Sequence, residues 1–363
     1  MRYDAIIVGA SFAGLSVAAE LRGKRVLLLD RKPIGTGQTS ACGTILRVLE
    51  ALDATDSVLQ VHERIIVHTA RRDLVYDLIH PFCTFDYAHF CLLLADRTDA
   101  DFVNAPAIGV ERGGVLTPQG AFAGKVLIDA SGWRAALASS LRPGFVRRGD
   151  LNFGMETVVE HRHDGLHFWY DPHVLQRGVV WLFPRGATSS IGIGSYLGET
   201  KLGGKLQSFM NDLGLHQNGV HGSFFPHELR EPVVGQLFVV GDAAGQCLAL
   251  TGEGIRPALY FGRVCGRLVR RVLDGELSRE EGQAEYWRFV ERHRHYFAVM
   301  SWLQRVLPPL PNSIIAALGE IVRLQPVLHR VMDYYERAMR LDEAHLDGLV
   351  GKTWATAQCW DTQ

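Results

Sequence analysis

Consecutive apolar residues gather in four short runs, each closed by a glycine or an acid. They are Tyr3-Asp-Ala-Ile-Ile-Val-Gly9, Lys24-Arg-Val-Leu-Leu-Leu-Asp30, Gly124-Lys-Val-Leu-Ile-Asp129-Ala-Ser-Gly132 and Gly235-Gln-Leu-Phe-Val-Val-Gly-Asp242. Short runs without alternation predict strands buried on both faces, as in a parallel sheet. An amphipathic stretch over 15–21 follows the first run, and a long helical stretch over about 255–273 follows the last. Between 145 and 225 the pattern becomes short alternating segments at 151–159, 166–170, 179–183 and 190–195, which predict an antiparallel sheet. After Leu277 helical spacing returns. Ser278-Arg-Glu-Glu281 is a capping-box match, starting a helix that runs to 307 and is stopped by Pro308, Pro309 and Pro311. Two further helices are expected over 313–324 and 327–340. Their apolar stripe (Ile314, Ile315, Leu318, Ile321, Val322) needs a covering surface: a neighbouring domain, a tunnel for an apolar substrate, or a membrane face.

Composition narrows the class. With 363 residues, 47% of them hydrophobic and 21% charged, the chain is an ordinary globular α/β protein long enough for several lobes. Lys+Arg 38 against Asp+Glu 39 leaves a net charge of -1, so binding to nucleic acid or anionic lipid by charge is not expected. No apolar run reaches the ~20 residues of a membrane span. Six cysteines without a Cys-x-x-Cys pair and without a signal peptide point to free thiols in a reducing, cytoplasmic setting. His161, His163 and His167, and His293 and His295, lie close in sequence. No cysteine or carboxylate completes a ligand set at metal-site spacing, so no metal is expected.

The first run enters Gly9-Ala-Ser11-Phe-Ala13-Gly14, then the helix, the second strand and Asp30. This strand, glycine turn, helix, strand, acid layout suits a dinucleotide. Gly9 permits the turn, Gly14 the close approach of helix to strand, and the helix N-terminus offers N–H groups to a pyrophosphate. Asp30 is placed to accept from a ribose hydroxyl, beside Arg31. Ser11 replaces the middle glycine of the fingerprint. The motif occurs once, since Gly348-Leu-Val-Gly-Lys-Thr353 mimics only the end of a phosphate loop. One site means a nicotinamide nucleotide bound alone, as in a dehydrogenase, or an FAD. Gly241-Asp242 leads through Leu250-Thr-Gly252-Glu-Gly254-Ile255 into the long helix, a carboxylate and a dipole end suited to a ribityl chain and an anionic flavin.

Together with Cys42-Gly43 and Val179-Val-Trp181-Leu-Phe183-Pro184 followed by Gly192-Ile-Gly194, these segments resemble the FAD-dependent family that includes para-hydroxybenzoate hydroxylase-like monooxygenases, flavin halogenases and, most similar, geranylgeranyl reductases. The resemblance covers most of residues 1 to about 275 and implies an FAD-binding Rossmann-type, glutathione reductase-like α/β domain. That domain would span 1–142 and 226–275, with an inserted antiparallel β-sheet substrate lobe over 143–225 and a helical C-terminus over 276–363. It implies FAD contacts at Gly9, Ser11, Ala13, Gly14, Asp30, Arg31, Cys42, Gly43, Ala107, Gly241, Asp242, Gly252, Gly254 and Ile255, and a substrate pocket at Trp181, Phe183 and Pro184. Three departures accompany it: Val179 stands for the family's tyrosine, Ala249 for its proline, and Tyr87 for the arginine after Asp86.

The chemistry so implied is hydride delivery from reduced flavin N5 to a C=C bond of an apolar, isoprenoid-like or secondary-metabolite substrate. The alternative is oxygen or halogen transfer through a flavin C4a-hydroperoxide. Only half of the halogenase Trp-x-Trp-x-Ile-Pro motif is present, and Gly245 with Gly252-Glu-Gly254 departs from the monooxygenase Gly-Asp-Ala-Ala-His and Gly-Gln-Gly. Cys42 is the candidate catalytic proton donor, and the electron donor is NAD(P)H or a ferredoxin. Peripheral membrane contact stays open.

Overall fold

The computed structural model describes residues 2–216 and 218–350. The first apolar run forms the strand Arg2–Val8, flanked in parallel by Val26–Asp30 and Gly120–Asp129. Asp101–Asn104 and Leu237–Val239 extend this sheet in parallel on either side. Ala5 to Val8 and Val26 to Leu29 are buried, because helices and loops cover both faces of the sheet. The helix Phe12–Glu20 packs against Ile255–Leu273. Glycines let the two backbones approach, since a Cβ at Gly262 would lie 2.8 Å from Ala13 O and one at Gly266 2.7 Å from Glu20 Cβ.

The second sheet has eight strands in the order Asn218–Pro226, Leu151–Val159, Thr188–Ser195, Gly178–Arg185, Leu166–Tyr170, Val58–Thr69, Asp73–Phe85, Gly43–Ile45. Its first five strands match the expected antiparallel lobe. The last three come from residues 43–85, which the sequence reading placed inside the nucleotide-binding unit. They join through a parallel pairing of Leu166–Tyr170 with Val58–Thr69, where Ile65 faces Leu166. A partner a hundred positions away leaves no local signal in the sequence.

The capping box forms as expected: Ser278 and Glu281 bond reciprocally at the start of Arg279–Val306. The helices Asn312–Arg323 and Gln325–Arg337 then fold back over the second sheet. Leu328 and Met332 pack on Leu74 and Tyr76, with Val322, Ile65 and Val67 at the edge of the cluster. Gly319 makes this contact close, as a Cβ there would lie 2.2 Å from Leu74 Cδ1, and Tyr76 donates to the Gly319 carbonyl at 3.1 Å. Val322, Leu328 and Met332 therefore cover the second sheet, while Ile314, Leu318 and Ile321 of the expected stripe stay exposed. Helix Glu343–Val350 ends the described chain; residues 351–353 of the phosphate-loop mimic, and Cys359, lie outside the described residues. Among the described residues no helix is long and apolar enough to cross a membrane.

Candidate active site

A cavity of about 1280 Å³ runs from the glycine turn, between the two sheets, to the underside of the C-terminal helices. Its first part is set by backbone clearance. Gly9 has φ +112, and a Cβ there would lie 2.0 Å from Ala130 O; a Cβ at Gly14 would lie 1.8 Å from Gly9 O. Only glycine fits either position. The helix Phe12–Glu20 has no side-chain cap at its N-terminus, so its first N–H groups face the cavity without an internal acceptor. Asp30 accepts from Ala10 N–H at 2.7 Å and Lys32 N–H at 2.9 Å, holding the acid beside the turn. Ser11 does not cap its helix; its hydroxyl shares a hydrogen bond with the Tyr87 hydroxyl at 3.1 Å. Two departures from the family pattern, serine for glycine and tyrosine for arginine, thus touch one another.

The second motif approaches the same space. Gly241 turns at φ +67 and a Cβ there would lie 2.8 Å from Ala13 Cβ, so the two glycine turns interlock. Asp242 follows, and its carboxylate accepts no hydrogen bond from the described residues; burial pushes its pKa up to about 6. Gly254 lies close to the acid, as a Cβ there would crowd Asp242 Oδ1 at 3.3 Å. Between the glycines, Glu253 and the buried Arg256 form a two-point ion pair, Nε to Oε1 and Nη2 to Oε2, each 2.9 Å. Arg256 also donates to the Tyr335 carbonyl at 2.7 Å, and Tyr335 hydroxyl bonds Glu253. The motif's charged residues therefore tie the glycine loop to a C-terminal helix.

The third part is the inner face of the second sheet. Register puts His221, Glu156, Gly192, Trp181 and Phe168 on one rung across five strands. The Trp181 indole lies over the glycine row: a Cβ at Gly192 would be 2.2 Å from Trp181 Cζ2, and one at Gly194 3.2 Å from Cζ3. The Gly-x-Gly following Trp-x-Phe-Pro is thus the seat of the tryptophan ring. Because Gly192 has no side chain, Glu156 reaches past it, and Trp181 Nε1–H donates to Glu156 Oε2 at 3.2 Å. Glu156 Oε1 lies 3.0 Å from His221 Nε2. Tyr196, next on the glycine row, donates its hydroxyl to the Leu250 carbonyl at 2.8 Å.

The cavity wall includes Gly9, Ser11, Ala13, Asp30, Arg31, Cys42, Gly43, Asp242, Gly252, Gly254 and Ile255, together with Trp181 and Phe183. Gly14, Gly241, Pro184 and Ala107 are not part of it; Ala107 packs among the residues behind the parallel sheet. Cys42 is buried at φ +53, its thiol pointing to the Ser40 carbonyl at 3.4 Å, and burial pushes its pKa well above the ordinary range. Glu156 and His221 were missed in the sequence. Alternation in 151–159 places Glu156 beside Gly154 on one face, but only the cross-strand register brings it to Trp181.

The FAD dependent oxidoreductase family profile matches residues 4–116. A digeranylgeranylglycerophospholipid reductase of Methanocaldococcus jannaschii is 24% identical over 355 residues, covering 88% of this chain and 90% of its own. The crystal structure of a geranylgeranyl bacteriochlorophyll reductase-like protein from Thermoplasma acidophilum superposes with a TM-score of 0.80 at 18% identity, over 96% of this chain and 99% of that one. A flavin-dependent brominase superposes with a TM-score of 0.71 at 15% identity, over 92% and 93%. The uncapped helix, the bare glycine turns and the donor-free Asp242 fit a flavin dinucleotide. The cofactor is FAD, and the chain is an FAD-dependent oxidoreductase whose fold resembles that of the geranylgeranyl reductases.

Proposed function

We propose that this chain reduces a C=C bond of a long, apolar, isoprenoid-like substrate. The observation that carries the reading is the far half of the cavity. There Ile65, Leu74, Leu303, Ile315, Val322 and Met332 surround an opening that continues from the Trp181 face. Its cationic lining residues, Arg31, Lys32 and Arg134, follow the ends of the strands Val26–Asp30 and Gly120–Asp129 at the nucleotide end. An alkyl chain fills such a space by apolar burial, at roughly 25 cal/mol per Å² removed from water. Halogen transfer through a flavin hydroperoxide would instead hand hypohalous acid to a lysine. Among the described lining residues Lys32 is the single lysine, two positions from Asp30 at the nucleotide end.

In this reading the N-terminus of Phe12–Glu20, with Ser11 and Ala13, would hold the pyrophosphate, and Gly9, Gly14 and Gly241 would give clearance. Asp30 and Arg31 would hold the adenosine ribose, Asp242 would accept from the ribityl hydroxyls, and Cys42, Gly43, Gly252, Gly254 and Ile255 would hold the flavin. FAD, when bound, supplies a two-electron hydride equivalent to carbon. Trp181, Phe168 and Phe183 orient the alkene and exclude water. The electron donor is NAD(P)H or a ferredoxin, and the buried free thiols Cys42, Cys83, Cys91, Cys247 and Cys265 suit a reducing cytoplasm.

Incubating the FAD-loaded protein anaerobically with dithionite and geranylgeraniol tests this. Mass spectrometry should show a product heavier by two hydrogens per reduced bond. An unchanged alcohol under conditions where the flavin bleaches would overturn the reading.

A further inference from the structure

Alkene reduction needs a proton as well as a hydride, and most acidic groups on the cavity wall are already committed. Cys42 is sealed by burial and its thiol holds its proton tightly. Glu253 is locked by Arg256 and Tyr335, Tyr87 is bonded to Ser11, and Tyr196 donates to the Leu250 carbonyl. One pair differs. Glu156 is only 3% exposed, yet its carboxylate sits on the substrate face beside the Trp181 ring. Its Oε1 is 3.0 Å from His221 Nε2, and the His221 side chain is 36% exposed. His221 Nδ1 bonds no described group, so the ring connects a buried acid to water.

We propose that Glu156 is the general acid of the reaction, with His221 returning its proton from solvent. This rests on the reductase reading. In each turnover one alkene carbon takes a hydride equivalent drawn from the reduced cofactor, and the other takes the proton of Glu156. The C=C π bond breaks and two C–H bonds form. Glu156, left as a carboxylate, takes a proton along the 3.0 Å line from His221, which takes one from water. An external two-electron donor of the NAD(P)H or ferredoxin class restores the cofactor. Trp181 Nε1–H, bonded to the other oxygen at 3.2 Å, keeps the carboxyl in the plane of the rung and facing the alkene.

The test compares wild type, Glu156→Gln and His221→Ala in single-turnover reduction of geranylgeraniol, with FAD content, melting temperature and dithionite bleaching measured beside it. Gln keeps an acceptor for Trp181 and a partner for His221, so folding and flavin binding should be unchanged. A positioned general acid contributes about 10²–10⁴-fold, so the Glu156→Gln rate should fall by at least about a hundredfold. His221→Ala should fall less and recover when imidazole is added to the buffer, a rescue that a merely structural role would not show. Full activity in Glu156→Gln, or a loss in His221→Ala that imidazole does not restore, would overturn the proposal. If wild type itself leaves geranylgeraniol unreduced, the reductase reading fails and this role fails with it; active wild type beside equally active Glu156→Gln removes this role alone.

Discussion

Asp242 lies three residues past the buried strand Leu237–Val239, against the cavity, and its carboxylate accepts no hydrogen bond from the described residues. Desolvation raises its pKa from 3.8 to about 6, opposed by the nearby Arg230 charge. A carboxyl raised in the folded state binds its proton more tightly there than in the unfolded chain. Its contribution to stability is therefore present below about pH 4 and lost as pH rises through about 6. The loss is at most about 3 kcal/mol, since the cavity still wets the group. In FAD-free protein, Asp242→Asn should melt higher than wild type at pH 7.5 and alike at pH 4, while binding FAD more weakly because a hydroxyl acceptor is lost. Thermal melts at the two pH values, with and without FAD, check this; equal melting at both would show that the carboxyl carries no such cost. Ser11 and Tyr87 make a second point at this scale. Each reads in sequence as a loss, of a glycine and of an arginine, and only their 3.1 Å contact reveals one shared local solution.

The glycine loop at 252–254 is held by charge as well as by its own hydrogen bonds, Leu248 N–H to the Glu253 carbonyl at 2.9 Å among them. Breaking one side of a buried ion pair costs about 3–5 kcal/mol, because the other charge stays buried. Glu253→Gln should therefore lower the urea midpoint sharply and speed FAD release, since Arg256 also carries the contact to Tyr335. Glu253→Gln with Arg256→Met, leaving no lone charge, should recover part of that stability. A single variant as stable as wild type would mean the clamp is not under load. The parallel strands, the long helices and the capping box were legible beforehand, because each is written in local spacing and caps. What could not be read was pairing between distant segments. The hairpin 58–85 joins the second sheet, and Glu156 reaches Trp181, only because registers set far apart in sequence put them on one surface. Candidate contacts at Ala107 and Pro184 rested on motif position alone, and neither lies on the cavity wall.

At the scale of the molecule, two sheets and a helical cover enclose one continuous space, nucleotide cradle at one end and alkyl-lined pocket at the other. The same architecture serves a reductase-like protein and a brominase, so overall shape does not choose the reaction. On the proposed reading the lining makes the choice: aromatic and aliphatic groups, a carboxyl–imidazole pair, and no lysine beside the Trp181 face among the described residues. The most direct test is to reduce the FAD-loaded protein anaerobically and mix it in a stopped-flow cell with geranylgeraniol or with oxygenated buffer. The flavin spectrum should return to the oxidised form with geranylgeraniol in the absence of oxygen. With oxygen alone it should pass straight to the oxidised form without a resolved intermediate. A long-lived oxygenated flavin species, with no reoxidation by the alkene, would contradict the account and assign the site to oxygen or halogen transfer.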